Sequence, residues 1–233
     1  MSQLPKLKKE LRNLANPKKA KILQGFFKTD PGQYGEGDVF MGITVPRSRE
    51  IARKYHDLSF NDLDELLKSK IHEERLIALL ILVHVYKTKD TRKEIVNYYL
   101  KNTRYVNNWD LVDLTADKIL GNYLLDKDRK ILYDLAKSKS LWEKRIAIIS
   151  TFQFIRNNDF KDTLKISEIL LQDSHDLMHK AVGWMLREVG KKDLSVLENF
   201  LKKHYKTMSR TTLRYAIEKF PEVKRQKYLK GVI

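Results

Sequence analysis

A chain of 233 residues is long enough to bury a sizeable core, either as one large domain or as a continuous helical array. Its 46 Lys and Arg against 30 Asp and Glu leave a formal charge of +16, which suits a polyanion, nucleic acid first, and disfavours partners that are not acidic. With no cysteine, disulfides, thiolate zinc sites and iron–sulfur clusters are excluded, and no segment is long and apolar enough to span a bilayer.

From the N-terminus, MSQLPKLKKELRNLA is charged and lacks an apolar signal core, so a protein of the reducing cytoplasm is expected. Lys6, Lys8, Lys9, Lys18, Lys19 and Lys21 read as a solvated helix face, with phosphate contact as the alternative. Helices are expected at about 17–28 and 46–56, enclosing one long loop at 31–45. The GQYGEG run in that loop lacks the preceding strand and the Lys-Ser/Thr pair of a phosphate loop, so it is read as a loop touching DNA at most.

Beyond Pro46 the next proline is Pro221, and the intervening sequence is a succession of apolar stripes at three- and four-residue spacing. Polar turns break it at Thr88-Lys89-Asp90 and Asn157-Asn158-Asp159. The stripe ALLILVHVY reads as the core of its repeat. Laid over one another, the most apolar helices align at Ala78, Asp113, Ala147, Ala181 and Ala216, with separations of 35, 34, 34 and 35. This is the period of a two-helix repeat, the intervening segments such as 91–102 and 162–172 supplying the partner helices. The expectation is a single all-α, HEAT-like helical-repeat solenoid over 1–233, its concave basic face suited to a duplex. Residues 1–58 are the irregular part, 59–221 the repeats, and the remainder a short tail.

Four of the five repeat slots hold alanine, as close helix packing demands, and the second holds Asp113. A carboxylate at such a position is costly without compensation. It is read either as a reactive group, with Trp109 four residues earlier on the same helix face, or as one member of an ion pair in a register displaced by one residue. His175 and His179 stand at i and i+4, but HDLMH lacks the Glu of a zinc protease helix and a third ligand, so no metal and no cofactor are expected.

NWDLVD at 108–113, LWEKRIAI at 141–148 and KAVGWMLREVG at 180–190 occur in order, preceded by YGEGDVFMGITVP at 34–46. Together they resemble the AlkD-like DNA alkylation-repair glycosylases over nearly the whole chain, a family of HEAT-like repeats. The resemblance implies that Asp113 is the catalytic aspartate, that Trp109 and Trp184 touch the sugar and backbone of a damaged nucleotide, and that Arg145 binds phosphate. Arg187, one turn beyond Trp184, is a further backbone-contact candidate. Phe26 stands near the expected groove where some members carry tyrosine, so the role of that hydroxyl does not transfer. In the repeat register Arg145 lies two residues before its slot, off the face of Asp113, and its assignment rests on the resemblance.

The implied substrate is duplex DNA carrying N3- or N7-alkylated purines. Alkylation gives the purine a positive charge and makes it a good leaving group, so one carboxylate suffices where ordinary glycoside hydrolysis needs two. The family's members hold the backbone around the lesion without enclosing the base. No membrane and no obligate protein partner are expected, and the default is a monomer. Two alternatives differ in class: a non-catalytic module of the same fold that binds damaged, bent or branched DNA, and a helical scaffold for an acidic protein.

Overall fold

The computed structural model describes residues 2–88 and 91–233. Among them it is all-α, the one exception being a single parallel bridge between Val39 and Ile71. Packing divides the chain into two compact units, one ending at Thr115, two residues after Asp113, and the other beginning at Ala116.

The first unit runs α1 (Leu4–Leu14), α2 (Pro17–Phe26), α3 (Val45–Lys54), α4 (Phe60–Leu67), α5 (His72–Thr88), α6 (Arg92–Lys101), a 3-10 turn (Thr103–Tyr105) and α7 (Trp109–Asp113). Prolines open α1, α2 and α3 within their first two positions, where a missing N–H costs nothing. Ser59 and Asp62 form a reciprocal capping box at α4. The centre of this unit is α5, buried on all sides from Leu76 to Val83 and packed against α3, α4, α6 and α7. The ALLILVHVY stripe is core, as expected. Lys6, Lys9, Lys18, Lys19 and Lys21 are exposed, and Lys8 pairs with Glu65 at 2.5 Å.

The loop between α2 and α3 is held by its main chain. Val39 N–H donates to Lys70 O and His72 N–H to Val39 O, at 3.0 and 2.9 Å, and the Glu73 carboxylate accepts from the N–H groups of Met41, Gly42 and Ile43. Gly42 has φ +83°, and a Cβ there would lie 2.3 Å from Asn16 O, so only glycine lets the loop lie against the start of α2.

The second unit contains a π-helical turn (Asp117–Gly121), α8 (Lys130–Ala136), α9 (Leu141–Ser150), α10 (Phe152–Arg156), α11 (Lys161–Leu170), α12 (Asp176–Lys192), α13 (Leu194–His204), α14 (Arg210–Ala216) and α15 (Glu222–Lys230). Its longest helix, α12, packs on α9, α13 and α14. The α12–α14 approach is close: a Cβ on Gly183 would fall 2.5 Å from Tyr215 Cβ and 2.7 Å from Thr212 O. The turn expected at 157–159 is present, with Asn158 in the left-handed conformation at φ 58°. The turn expected around 88–90 involves Lys89 and Asp90, which lie outside the described residues.

The repeat slots fall in α5, α7, α9, α12 and α14, and the partner segments 91–102 and 162–172 become α6 and α11. Ala78, Ala147, Ala181 and Ala216 are at most 1% exposed, whereas Asp113 is only partly buried. The tight packing inferred for that slot is absent because α7 stops at Asp113. The helix expected through NWDLVDLTADKIL is interrupted there: Thr115 turns its hydroxyl onto Leu111 O at 2.5 Å, and regular winding resumes only through the π-helical turn.

Candidate functional site

The first unit gathers Phe26, Trp109 and Asp113. Asn108 caps α7, its Oδ1 accepting from Trp109 N–H at 2.8 Å, and its Nδ2 donates to Asp38 Oδ2 at 3.1 Å. Two residues on, Asp110 meets His72: Nε2 lies 2.8 Å from Asp110 Oδ2, while Nδ1 lies 3.0 Å from Asp38 Oδ2. Arg75 completes the group, donating to Asp38 Oδ1 at 2.6 Å and to Ser69 O at 2.9 Å. Asn108, His72, Arg75, Asp110 and Asp38 are all at most 7% exposed.

An imidazole with a carboxylate on each nitrogen satisfies both only by carrying two protons. Burial pushes the His72 pKa down, but the hydrogen bonds to Asp110 and Asp38 outweigh it and raise it to about 8. Burial likewise opposes ionisation of Asp38, yet the hydrogen bond from His72, the Arg75 charge and the Asn108 amide hold its carboxyl below the usual range. Two cations and two anions balance, which is what a buried ionic group requires.

Trp109 lies on an aromatic column. Its ring stacks on Phe27 at 5.0 Å and 8°, Phe27 on Phe40 at 4.9 Å and 29°, and Phe40 on His72 at 4.5 Å and 22°. Phe26 meets Trp109 edge-on at 5.9 Å and is 62% exposed, an apolar ring left facing solvent. Asp113 is one turn beyond Trp109, the last residue of α7 and partly open to solvent. A carboxylate at a helix C-terminus faces the negative end of the peptide dipoles, an unfavourable place for an anion that serves only to stabilise the helix.

The second unit gathers Arg145, Trp184 and Arg187 around α12. Arg145, on α9, is 5% exposed and donates to Leu177 O at 2.6 Å, so its guanidinium is engaged with the start of α12. Trp184, in mid-helix, is partly buried and tilted against Phe152 at 5.9 Å and 55°. Arg187, one turn on, pairs with Glu218 and, at 3.4 Å, with Glu188. The two histidines of HDLMH serve the same helix end: His175 Nδ1 accepts from Leu177 N–H at 3.1 Å, and His179 Nε2 lies 2.6 Å from Asp173 O.

Sequence reasoning missed Asp38, His72, Arg75 and Asp110, together with Phe27 and Phe40 in the column. The one available signal was Asp110, the first aspartate of NWDLVD, a second carboxylate three residues before Asp113. Among the described residues no group of three or more His, Cys, Asp and Glu is placed to hold a metal ion, and no helix is long and apolar enough to cross a membrane.

No curated protein sequence matches the chain. A solved structure from Enterococcus faecalis, described as a predicted DNA alkylation repair enzyme, has a TM-score of 0.69 at 17% identity, over 89% of this chain and 97% of that one. The likeness is one of fold, in agreement with the all-α repeat expected from the sequence. The sequence pattern of the family described as DNA alkylation repair enzyme matches residues 7–220, from the first helix to the last buried aromatic before α15. The chain therefore belongs to the DNA alkylation repair enzyme family.

Proposed function

We propose that the protein is a DNA glycosylase that hydrolyses the N-glycosidic bond of cationic N3- and N7-alkylated purines in duplex DNA, with Asp113 as its catalytic carboxylate. One observation carries the choice of residue: of the two carboxylates in NWDLVD, Asp110 is sealed in an ion network, while Asp113 is partly open to solvent one turn from Trp109.

As the C1′–N bond breaks, its electron pair passes to the purinium ring and neutralises it. The deoxyribose becomes cation-like, and the Asp113 carboxylate stabilises that growing charge while orienting the water that adds to C1′. The water's proton is released to solvent. The Trp109 face, one turn from Asp113, adds attraction for the cationic sugar, and in the second unit Trp184 and Arg187 contact the DNA backbone, Arg187 once phosphate displaces Glu218. No acid is needed for a leaving group that departs neutral, and the reaction as written uses no cofactor. The protein acts as a monomer in the cytoplasm, on lesions selected by their own charge.

The test incubates the protein with methylated duplex DNA and measures free 7-methylguanine and 3-methyladenine beside an Asp113→Asn variant. Release abolished by the substitution with DNA binding kept is the expected result. No release by the parent protein, with binding intact, overturns the reaction and leaves a binding module.

A further inference from the structure

We propose that His72 is a positioning residue: its doubly hydrogen-bonded ring ties the loop at Asp38 to α7 at Asp110 and so sets where Trp109 and Asp113 stand. The catalytic consequence rests on the glycosylase reading, whereas the clamp itself does not.

A helix of five residues is too short to be stable through its own hydrogen bonds. The start of α7 is instead tied down at Asn108 and Asp110, on either side of Trp109, and both ties run through the pair of Asp38 and His72. His72 is also the last ring of the column on which Trp109 is stacked. Position and orientation of the indole therefore share one anchor.

The charged groups that meet His72 are Asp38 from the loop, Asp110 from α7, and Arg75 on its own helix, one turn on. Beside it on α5, Glu73 is occupied by the loop N–H groups. When the imidazolium loses a proton, one ring nitrogen becomes a lone pair facing a carboxylate, and the balanced network acquires a net buried negative charge. A break at Asp110 frees the start of α7, and a break at Asp38 frees the segment carrying Phe40; both loosen the column under Trp109. There is room for the movement: Phe27, Phe40, His72 and Asp110 share the wall of an apolar cavity of about 390 Å³. The titration expected near pH 8, set by the opposing effects of burial and two carboxylates, places the opening just above neutrality.

The experiment follows the full-length protein by NMR from pH 6 to 10, reading the His72 imidazole and the Trp109 indole N–H, assigned by their loss in His72→Gln and Trp109→Phe. The expected result is a Trp109 resonance that moves with the midpoint of His72, and a midpoint in Asp110→Asn lower by about one unit for loss of a buried charge partner. A Trp109 resonance that stays still while His72 titrates overturns the clamp, as does a midpoint unmoved in Asp110→Asn. On methylated DNA, the single-turnover rate of base release should fall through the same midpoint, by about tenfold or more for a misplaced group, while DNA affinity at fixed salt changes less than about twofold. If the parent protein releases no base at any pH, the glycosylase reading fails, and the two NMR titrations still decide the clamp. If His72→Gln does not fold, Asp110→Asn supplies the comparison.

Discussion

Trp109 stands on a helix of five residues and Trp184 in the middle of one of 17, and different forces hold them. For Trp109 the backbone contributes little, and orientation comes from a face-to-face column ending on four buried charged groups. For Trp184 the helix supplies the orientation and close apolar packing fixes the helix, Gly183 allowing α14 to approach next to the indole. An ionic anchor is directional but depends on protonation. A packed anchor is insensitive to pH but intolerant of added volume. The two tryptophans should therefore be displaced by different perturbations.

Asp113→Asn separates chemistry from anchoring altogether. It should lower base release by at least about a hundredfold, the scale of losing one electrostatic contact to a transition state, with DNA affinity held, as measured by product release and by titration of labelled duplex. Gly183→Val attacks the packed side: a branched side chain driven toward Thr212 O and Tyr215 Cβ should destabilise the protein by about 3 kcal/mol, at the upper end for overpacking. Urea unfolding measures it, and the loss should be the same at pH 6 and pH 9.

The ionic side should show the opposite behaviour. Because the His72 pKa is raised from 6.5 to about 8, its contribution of about 2 kcal/mol is fully present below pH 6.5 and is lost as pH rises through 8. Urea unfolding of the parent should therefore weaken between pH 6 and 9 by that amount more than unfolding of His72→Gln. The smallest effect is expected at the rim of α12. Glu218→Gln releases Arg187 from a half-exposed ion pair, and duplex affinity should rise by about two- to fivefold at low salt. The gain should fade as salt screens the contact, a trend that a salt series of binding constants would check.

The repeat was legible because it is written in small residues. Alanine recurring at 34 or 35 positions where helices press together leaves a mark that needs no knowledge of the partner, and Ala78, Ala147, Ala181 and Ala216 are all sealed. The end of α7 was not legible. No glycine or proline stands between Trp109 and Leu120. The break comes from Thr115 competing for a helical carbonyl, with the Tyr99 hydroxyl 3.2 Å from its own, a contact that periodicity cannot reveal. The same limit applies to the site. Trp109 and Asp113 are neighbours on one helix, so spacing alone pairs them. Asp110 differs from Asp113 only through His72, 38 positions earlier, and Asp38, 72 positions earlier. In the sequence IHEERL, His72 reads as nothing more than the polar first turn of a buried helix.

Glu73 grips the loop entirely by its backbone, through three consecutive N–H groups, one of them on a glycine that no other residue can replace. Such a hold is indifferent to the identity of the outward-facing residues. Val39 is exposed and contributes no side chain to the buried ion network, whereas Gln33 and Glu36 each accept a loop N–H, from Asp30 and Gly32. The loop can thus exchange the side chain at Val39 with its geometry unchanged, and a library randomised at that position should retain fold and stability while sampling new surface contacts.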